Sequence, residues 1–167
     1  MYDWITQNTV AISLGAAWIF KQDYVDLFKG KFVNMHPSRL PRDRGSGGYS
    51  WQILQAERLG GNSIHLVTPG IDTGDIIDQI KFKININDTG YDNFQRLMKF
   101  STSLFKKNFM KLINNNFKSR KQNLSKGSYF SRSSVNYSKI CKIKVLKHSL
   151  SEHNKIRALI FPPYQYP

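Results

Sequence analysis

Apolar residues crowd this chain in short runs punctuated by glycine and proline, and the period changes from run to run. TVAIS (9–13) is an unbroken apolar stretch that ends at Gly15, the pattern of a strand covered on both faces. KQDYVDLFKG (21–30) spaces Tyr24, Val25, Leu27 and Phe28 as a helix does, with Gly30 as its stop. KFVNM (31–35) reads as a second strand. SGGYSWQILQAERLGG (46–61) reads as a helix opening after Gly48 and closing at Gly60-Gly61. NSIHLVT (62–68) is a third strand, with Ile64 and Leu66 on one face and Ser63, His65 and Val67 on the other, and DIIDQIKFKINI (75–86) continues in extended form. A long amphipathic helix follows, carrying Phe94, Leu97, Met98, Leu104, Phe105, Phe109, Leu112 and Ile113, with Asp88 or Thr89 as its cap. Beyond Phe117, KSRKQNLSKGSYFSRSSVNYSK reads as a basic linker, KICKIKVLK as a strand and HNKIRALIFPPYQYP as the closing segment. Strands alternating with helices predict an α/β chain with a mostly parallel sheet. The expected division is a core over 1–117 and a basic linker with a C-terminal segment over 118–167.

Charge sharpens that division. The net charge is +14, yet residues 1–98 carry ten Lys/Arg and ten Asp/Glu, so the whole excess lies beyond them. Solvated lysines on an Asn- and Ser-rich segment account for such a bias, and a surface facing a polyanion is the alternative. The 40% hydrophobic content over 167 residues suits one compact domain. Cys141 is the one cysteine, so no internal disulfide forms, and a reduced cytoplasmic setting is the expectation. VAISLGAAWIF is too short to span a bilayer, so no membrane partner is expected.

The candidate chemistry lies in two stretches, KFVNMHPSRLPRDRG (31–45) and IHLVTPGIDTGDII (64–77). In an extended segment Asn34 and His36 share a face, and Pro37 ends the strand and opens a loop. A polar Asn-x-His at a strand end is often structural. The second stretch changes the picture, because the turn at Pro69-Gly70 can carry the Asp72 carboxylate back over the sheet's carboxyl edge. An amide, an imidazole and a carboxylate at one rim suit acyl transfer to an amine. Imidazolium and amide would stabilise the developing oxyanion, while the carboxylate keeps the ring charged and helps take a proton from the amine.

FVNMHPSRLPRDRG and IHLVTPGIDTGDII together resemble the two ordered signatures of the folate-dependent formyltransferases, with Arg39 as a mild departure. That family includes glycinamide ribonucleotide, methionyl-tRNA and sugar-nucleotide formyltransferases. The resemblance implies a Rossmann-like catalytic domain, 10-formyltetrahydrofolate as formyl donor, and Asn34, His36 and Asp72 as the catalytic trio. It also implies that Trp18, Ile19 and Phe20 of SLGAAWIF flank the donor, with Val25 beneath and the backbone of Val67, Thr68 and Gly70 opposite. Core packing is the competing role for Trp18 and Phe20, and a satisfied, half-buried histidine is the competing role for His65.

RGSGGYSWQI replaces the small-residue and Pro sequence usual after this motif in the methionyl-tRNA enzymes, so Gly47, Tyr49 and Trp51 are candidates for holding a sugar or a base. A helix entry with Trp51 packed in the core is the equal alternative. IRALIFPPYQYP is similar to the ends of domains acting on nucleotide-linked amino sugars. The leading acceptor is therefore an amino-deoxysugar on a nucleoside diphosphate, used in surface polysaccharide synthesis. Methionyl-tRNA, which the basic C-terminal part would suit, is the alternative. The resemblance also implies that roughly seventy residues, two βα units of about thirty or more each, normally precede TVAIS. A chain without them would leave an apolar edge open to self-association as a homodimer, and a truncated, non-catalytic remnant is a further alternative.

Overall fold

A computed structural model describes residues 5–16, 18–134, 136–144 and 149–161. Strand β1 (Ala11–Leu14) leads through helix α1 (Gln22–Leu27) into β2 (Phe32–His36), parallel to β1 with Ser13 opposite Asn34. A loop with the two-residue strand β3 (Arg44–Gly45) leads into helix α2 (Gly48–Leu54). Strand β4 (Leu59–Leu66) then pairs antiparallel to β2, and β5 (Ile76–Lys83) antiparallel to β4, giving the sheet order β1-β2-β4-β5.

The α/β class holds, but the sheet is mixed where a mostly parallel one was expected. The connection from β2 to β4 begins and ends at the carboxyl end of β2, where His36 lies opposite Ser63. There the Leu40 N–H donates to Ser63 Oγ at 3.1 Å, and Ser63 Oγ donates to the Ser38 carbonyl at 2.6 Å. A chain that re-enters a sheet at the end it left runs antiparallel. Gly60 and Gly61, expected to close the preceding helix, lie inside β4. A Cβ on Gly60 would stand 2.4 Å from the Phe82 ring, so this glycine answers to a close neighbour on β5 rather than to a helix end.

Helix α3 (Gly90–Ile113) covers one face of the sheet. Thr89 caps it in a capping box with Asp92, while Asp88 pairs instead with Arg96. Leu104 and Leu112 pack on Val33, Met35 and Ile64 in one core cluster, and Leu97 joins Ile53, Phe82, Ile84 and Ala158 in another. Met98, Phe109 and Ile113 are exposed, so the buried stripe is narrower than the sequence pattern suggested.

The segment after Phe117 is not a free linker along its whole length. Strand β6 (Tyr129–Phe130) pairs with β3, and helix α5 (Ser149–Leu159) packs on α2. The strand expected over 139–147 is not formed at its start: Lys139 and Ile140 close helix α4 (Tyr137–Ile140), and 141–144 take no strand. Residues 145–148, and the PPYQYP end after Phe161, lie outside the described residues. None of the described helices is long and apolar enough to cross a membrane.

Candidate active site

The face of the sheet opposite α3 carries a row of polar side chains. Period-two alternation sends Val33 and Met35 into the core and turns Asn34 and His36 the other way, and the register sets Ser13 and His65 on either side of Asn34. Ser13 Oγ is buried and has no hydrogen-bond partner among the described residues. The Leu66 carbonyl, 2.8 Å from His65 Nδ1, can only accept, so that nitrogen carries the hydrogen. His65 Nε2 is then left to accept from the Asn34 amide at 3.1 Å. The histidine fixes which way the amide faces, and the amide's second hydrogen remains available to a ligand.

Asp72 arrives from an unexpected direction. The loop after β4 starts beside the amino end of β2, where the Val67 N–H donates to the Phe32 carbonyl at 2.8 Å, and it doubles back across the sheet. At its tip Asp72 adopts a left-handed φ of 53°, and its Oδ2 accepts from the Gly45 N–H at 2.8 Å. Its oxygens lie 3.4 Å from His36 Nδ1 and 3.5 Å from His65 Nε2. His36 Nε2 donates to the Asp43 carbonyl at 2.8 Å, so Nδ1 is the nitrogen that faces the carboxylate.

His36 is 5% exposed, and burial pulls its pKa below the ordinary imidazole value even though Asp72 and the Asp43 carbonyl pull it up. Asp72 thus acts in the expected direction, favouring the charged ring, and burial opposes it and sets the net direction. For Asp72 burial acts upward, but His65 and His36, each in its protonated form, and the Gly45 N–H together outweigh it and hold the carboxyl below its usual range. Both shifts have one consequence for stability. An unfolded histidine binds a proton near about pH 6.5 and Asp72 near about pH 3.9, and each binds it more readily unfolded than folded, so acid favours unfolding. Thermal melts are expected to show Tm falling as pH drops below about 6.5, and the His36→Asn protein should lose part of that slope. An equal slope in both proteins would contradict the lowered pKa of the buried ring.

A cavity of about 420 Å³ opens beside these groups, within the roughly 300–1,000 Å³ of small-molecule sites. Asn34, His36, Asp72 and His65 line it, as do Trp18, Ile19, Phe20, Val67, Thr68, Gly70, Gly47 and Tyr49. Two expected residues do not. Val25 sits about 100° round α1 from Tyr24, which turns toward β1, and it does not line the cavity. Trp51 stacks on Phe130 with ring centroids 4.1 Å apart, and Phe130 is the ring that lines the cavity. Ser13, Tyr129, Phe130 and Ser131 also line it and were missed in the sequence. The one available signal was an aromatic pair, Tyr129-Phe130, standing in a stretch poor in large aliphatics.

Apolar ring faces at Trp18 and Phe20, backbone groups at Val67 to Gly70 and the unpartnered Ser13 hydroxyl fit a flat heterocycle with polar edges. Residues 7–109 match the formyl transferase family. Methionyl-tRNA formyltransferases are among the curated relatives: that of Clostridium tetani is 30% identical over 113 residues, covering 68% of this chain and 36% of that protein. The Clostridium perfringens protein is 28% identical over 84% of this chain and 45% of its own length. The chain thus spans less than half the length of these relatives. Among solved structures, an N-formyltransferase from Helicobacter canadensis, complexed with folinic acid and dTDP-3-aminofucose, has a TM-score of 0.85 and 44% identity, covering 93% of this chain and 56% of that one. The sugar 3-N-formyltransferase WlaRD, solved with dTDP and 5-N-formyl-THF, has a TM-score of 0.89 and 39% identity over 100% of this chain and 60% of that one. A match over 7–109 takes in both motifs, the cavity loops and most of α3, and the chain belongs to the formyl transferase family.

Proposed function

We propose that the protein moves a formyl group from 10-formyltetrahydrofolate to the amino group of an amino-deoxysugar carried on a nucleoside diphosphate, in the cytoplasm, as a step toward surface polysaccharide. The observation that carries this reading is the meeting of Asn34, His36 and Asp72 at the wall of one cavity whose other wall is apolar and aromatic. The solved relatives with nucleotide sugars support the acceptor class.

In this reading Trp18, Ile19 and Phe20 grip the pterin, and the backbone from Val67 to Gly70 takes its polar edge. The Asn34 amide, oriented by His65, donates to the formyl oxygen as negative charge develops there. A bond forms from the amine nitrogen to the formyl carbon, and the bond from that carbon to the folate nitrogen breaks. The amine's proton passes toward Asp72, which is ionised, with His36 Nδ1 beside it to share that proton. The departing folate nitrogen takes a proton in return, so charge balances. Gly47 and Tyr49 lie on the acceptor side.

Methionyl-tRNA is the second reading, favoured by the curated relatives and by the basic residues beyond 98. An assay with 10-formyltetrahydrofolate and each acceptor separates them. A dTDP-3-amino sugar should be formylated with a shallow salt dependence, whereas turnover of methionyl-tRNA would fall steeply with salt. Formylation of tRNA alone would overturn the sugar assignment. Binding of folinic acid with no turnover of either acceptor would overturn catalysis by this chain.

A further inference from the structure

Residues 120–131 cross the molecule over both catalytic loops. The backbone of Arg120 exchanges hydrogen bonds with Ile76 at the start of β5, at 2.8 and 2.9 Å. Two residues on, the half-buried Gln122 turns its amide nitrogen to two carbonyls of the second motif, that of Asp72 at 2.9 Å and that of Gly74 at 2.6 Å. Farther on, Ser128 Oγ accepts from the Asp43 N–H at 2.8 Å and donates to Asp43 Oδ1 at 3.1 Å. The carbonyl of that same Asp43 receives His36 Nε2. Backbone bonds from Arg44 to Ser128 and from Ser46 to Phe130 then bind the His36 loop to β6.

Resting on the formyl-transfer reading, we propose that this segment is a strap that sets the spacing of the reacting pair, with Gln122 and Ser128 as positioning residues for Asp72 and His36. The two loops enter from opposite ends of the sheet and are joined directly by the bond from the Gly45 N–H to Asp72 Oδ2. That bond ties one side-chain oxygen, whereas the strap holds their main chains. Asp72 stands on a left-handed residue at a loop tip, and Asp43 is also left-handed at φ 55°. Each has one strap side chain bonded to its main chain, and the strap is one short piece of polypeptide. A shift of about 1 Å at such a pair can cost up to about 10²-fold in rate.

Gln122→Met keeps the length and removes both donors. It is expected to lower kcat by roughly 10- to 10²-fold with the KM for the folate donor nearly unchanged, because Trp18 to Phe20 are untouched. Gln122→Glu separates positioning from general support. Its ionised carboxylate would face two carbonyls and repel them, while its protonated form restores one donor. The ratio of its kcat to the wild-type kcat should therefore rise as pH falls, and the Gln122→Met ratio should stay flat. A residue that merely supports the fold would give two flat ratios.

A readout independent of turnover is the titration of the His36 ring by NMR. Asp72, Asp43 and His65 are the titratable groups that act on it, and Asp72 is the largest of those that raise its pKa. In Gln122→Met the loosened carboxylate should let His36 titrate at lower pH than in the wild type, in the direction of Asp72→Asn. Should Gln122→Met fail to fold, Ser128→Ala is expected to show the same kcat loss at constant donor KM, with Ser128→Thr restoring it. Wild-type kcat together with wild-type His36 titration in Gln122→Met would overturn the strap. If the wild type itself does not turn over, the formyl-transfer reading fails while the His36 titration still decides the strap.

Discussion

Asp72→Asn is expected to lower kcat by roughly 10²- to 10⁴-fold while the affinity for folinic acid changes little. Asn keeps the shape of Asp, tolerates the left-handed backbone at this position, and can still accept from the Gly45 N–H, so the loop should hold its course. What it loses is the negative charge beside His36 Nδ1 and the capacity to take the amine's proton. The donor pocket around Trp18 to Phe20 lies on the β1 side of Asn34 and does not touch the substituted atom. Single-turnover formyl transfer and folinic acid binding, measured on the same preparation, check both halves. A rate near that of the wild type would remove Asp72 from the mechanism.

Gly74→Ala should damage stability and turnover together. A Cβ at this position would lie 1.8 Å from the Leu66 carbonyl oxygen, which is backbone and cannot swing aside. Forced overpacking of this kind typically costs about 1–3 kcal/mol, and a main-chain obstacle places this case at the upper end. The displaced carbonyl is also the one that holds His65 Nδ1, and through His65 the Asn34 amide. A lower Tm and a fall in kcat larger than the fraction unfolded explains are therefore expected. Thermal melts beside activity at low temperature measure this, and an unchanged Tm would show that the loop yields freely.

The convergence of the candidate catalytic segments was legible in the sequence because its physics is local. Period-two alternation put Asn34 and His36 on one face, Pro37 closed the strand, and Pro69-Gly70 announced the turn that carries Asp72. Strand direction was not legible. Whether β4 runs with β2 or against it depends on where the chain re-enters the sheet, which Ser63 settles through contacts with Ser38 and Leu40 more than twenty residues away. Gly60 misled for a related reason, since a glycine that ends a helix and one that admits a neighbouring ring look alike in sequence. The resemblance implies Val25 beneath the donor and the glycine-rich turn offers Trp51 to the acceptor, whereas a helix rotation in one case and the intervening Phe130 in the other keep them off the cavity wall. Gln122 left no trace, because it acts through carbonyls fifty residues earlier and its amide resembles any other polar group in a basic stretch.

The most direct test is a crystal structure of the protein with folinic acid and dTDP. The pterin should stack among Trp18, Ile19 and Phe20, with the Asn34 amide and the Asp72 carboxylate facing the formyl-bearing edge and a formyl oxygen within about 3 Å of Asn34 Nδ2. A folate seated elsewhere on the molecule, or one in this cavity with its formyl group turned away from Asn34, His36 and Asp72, would contradict the assignment.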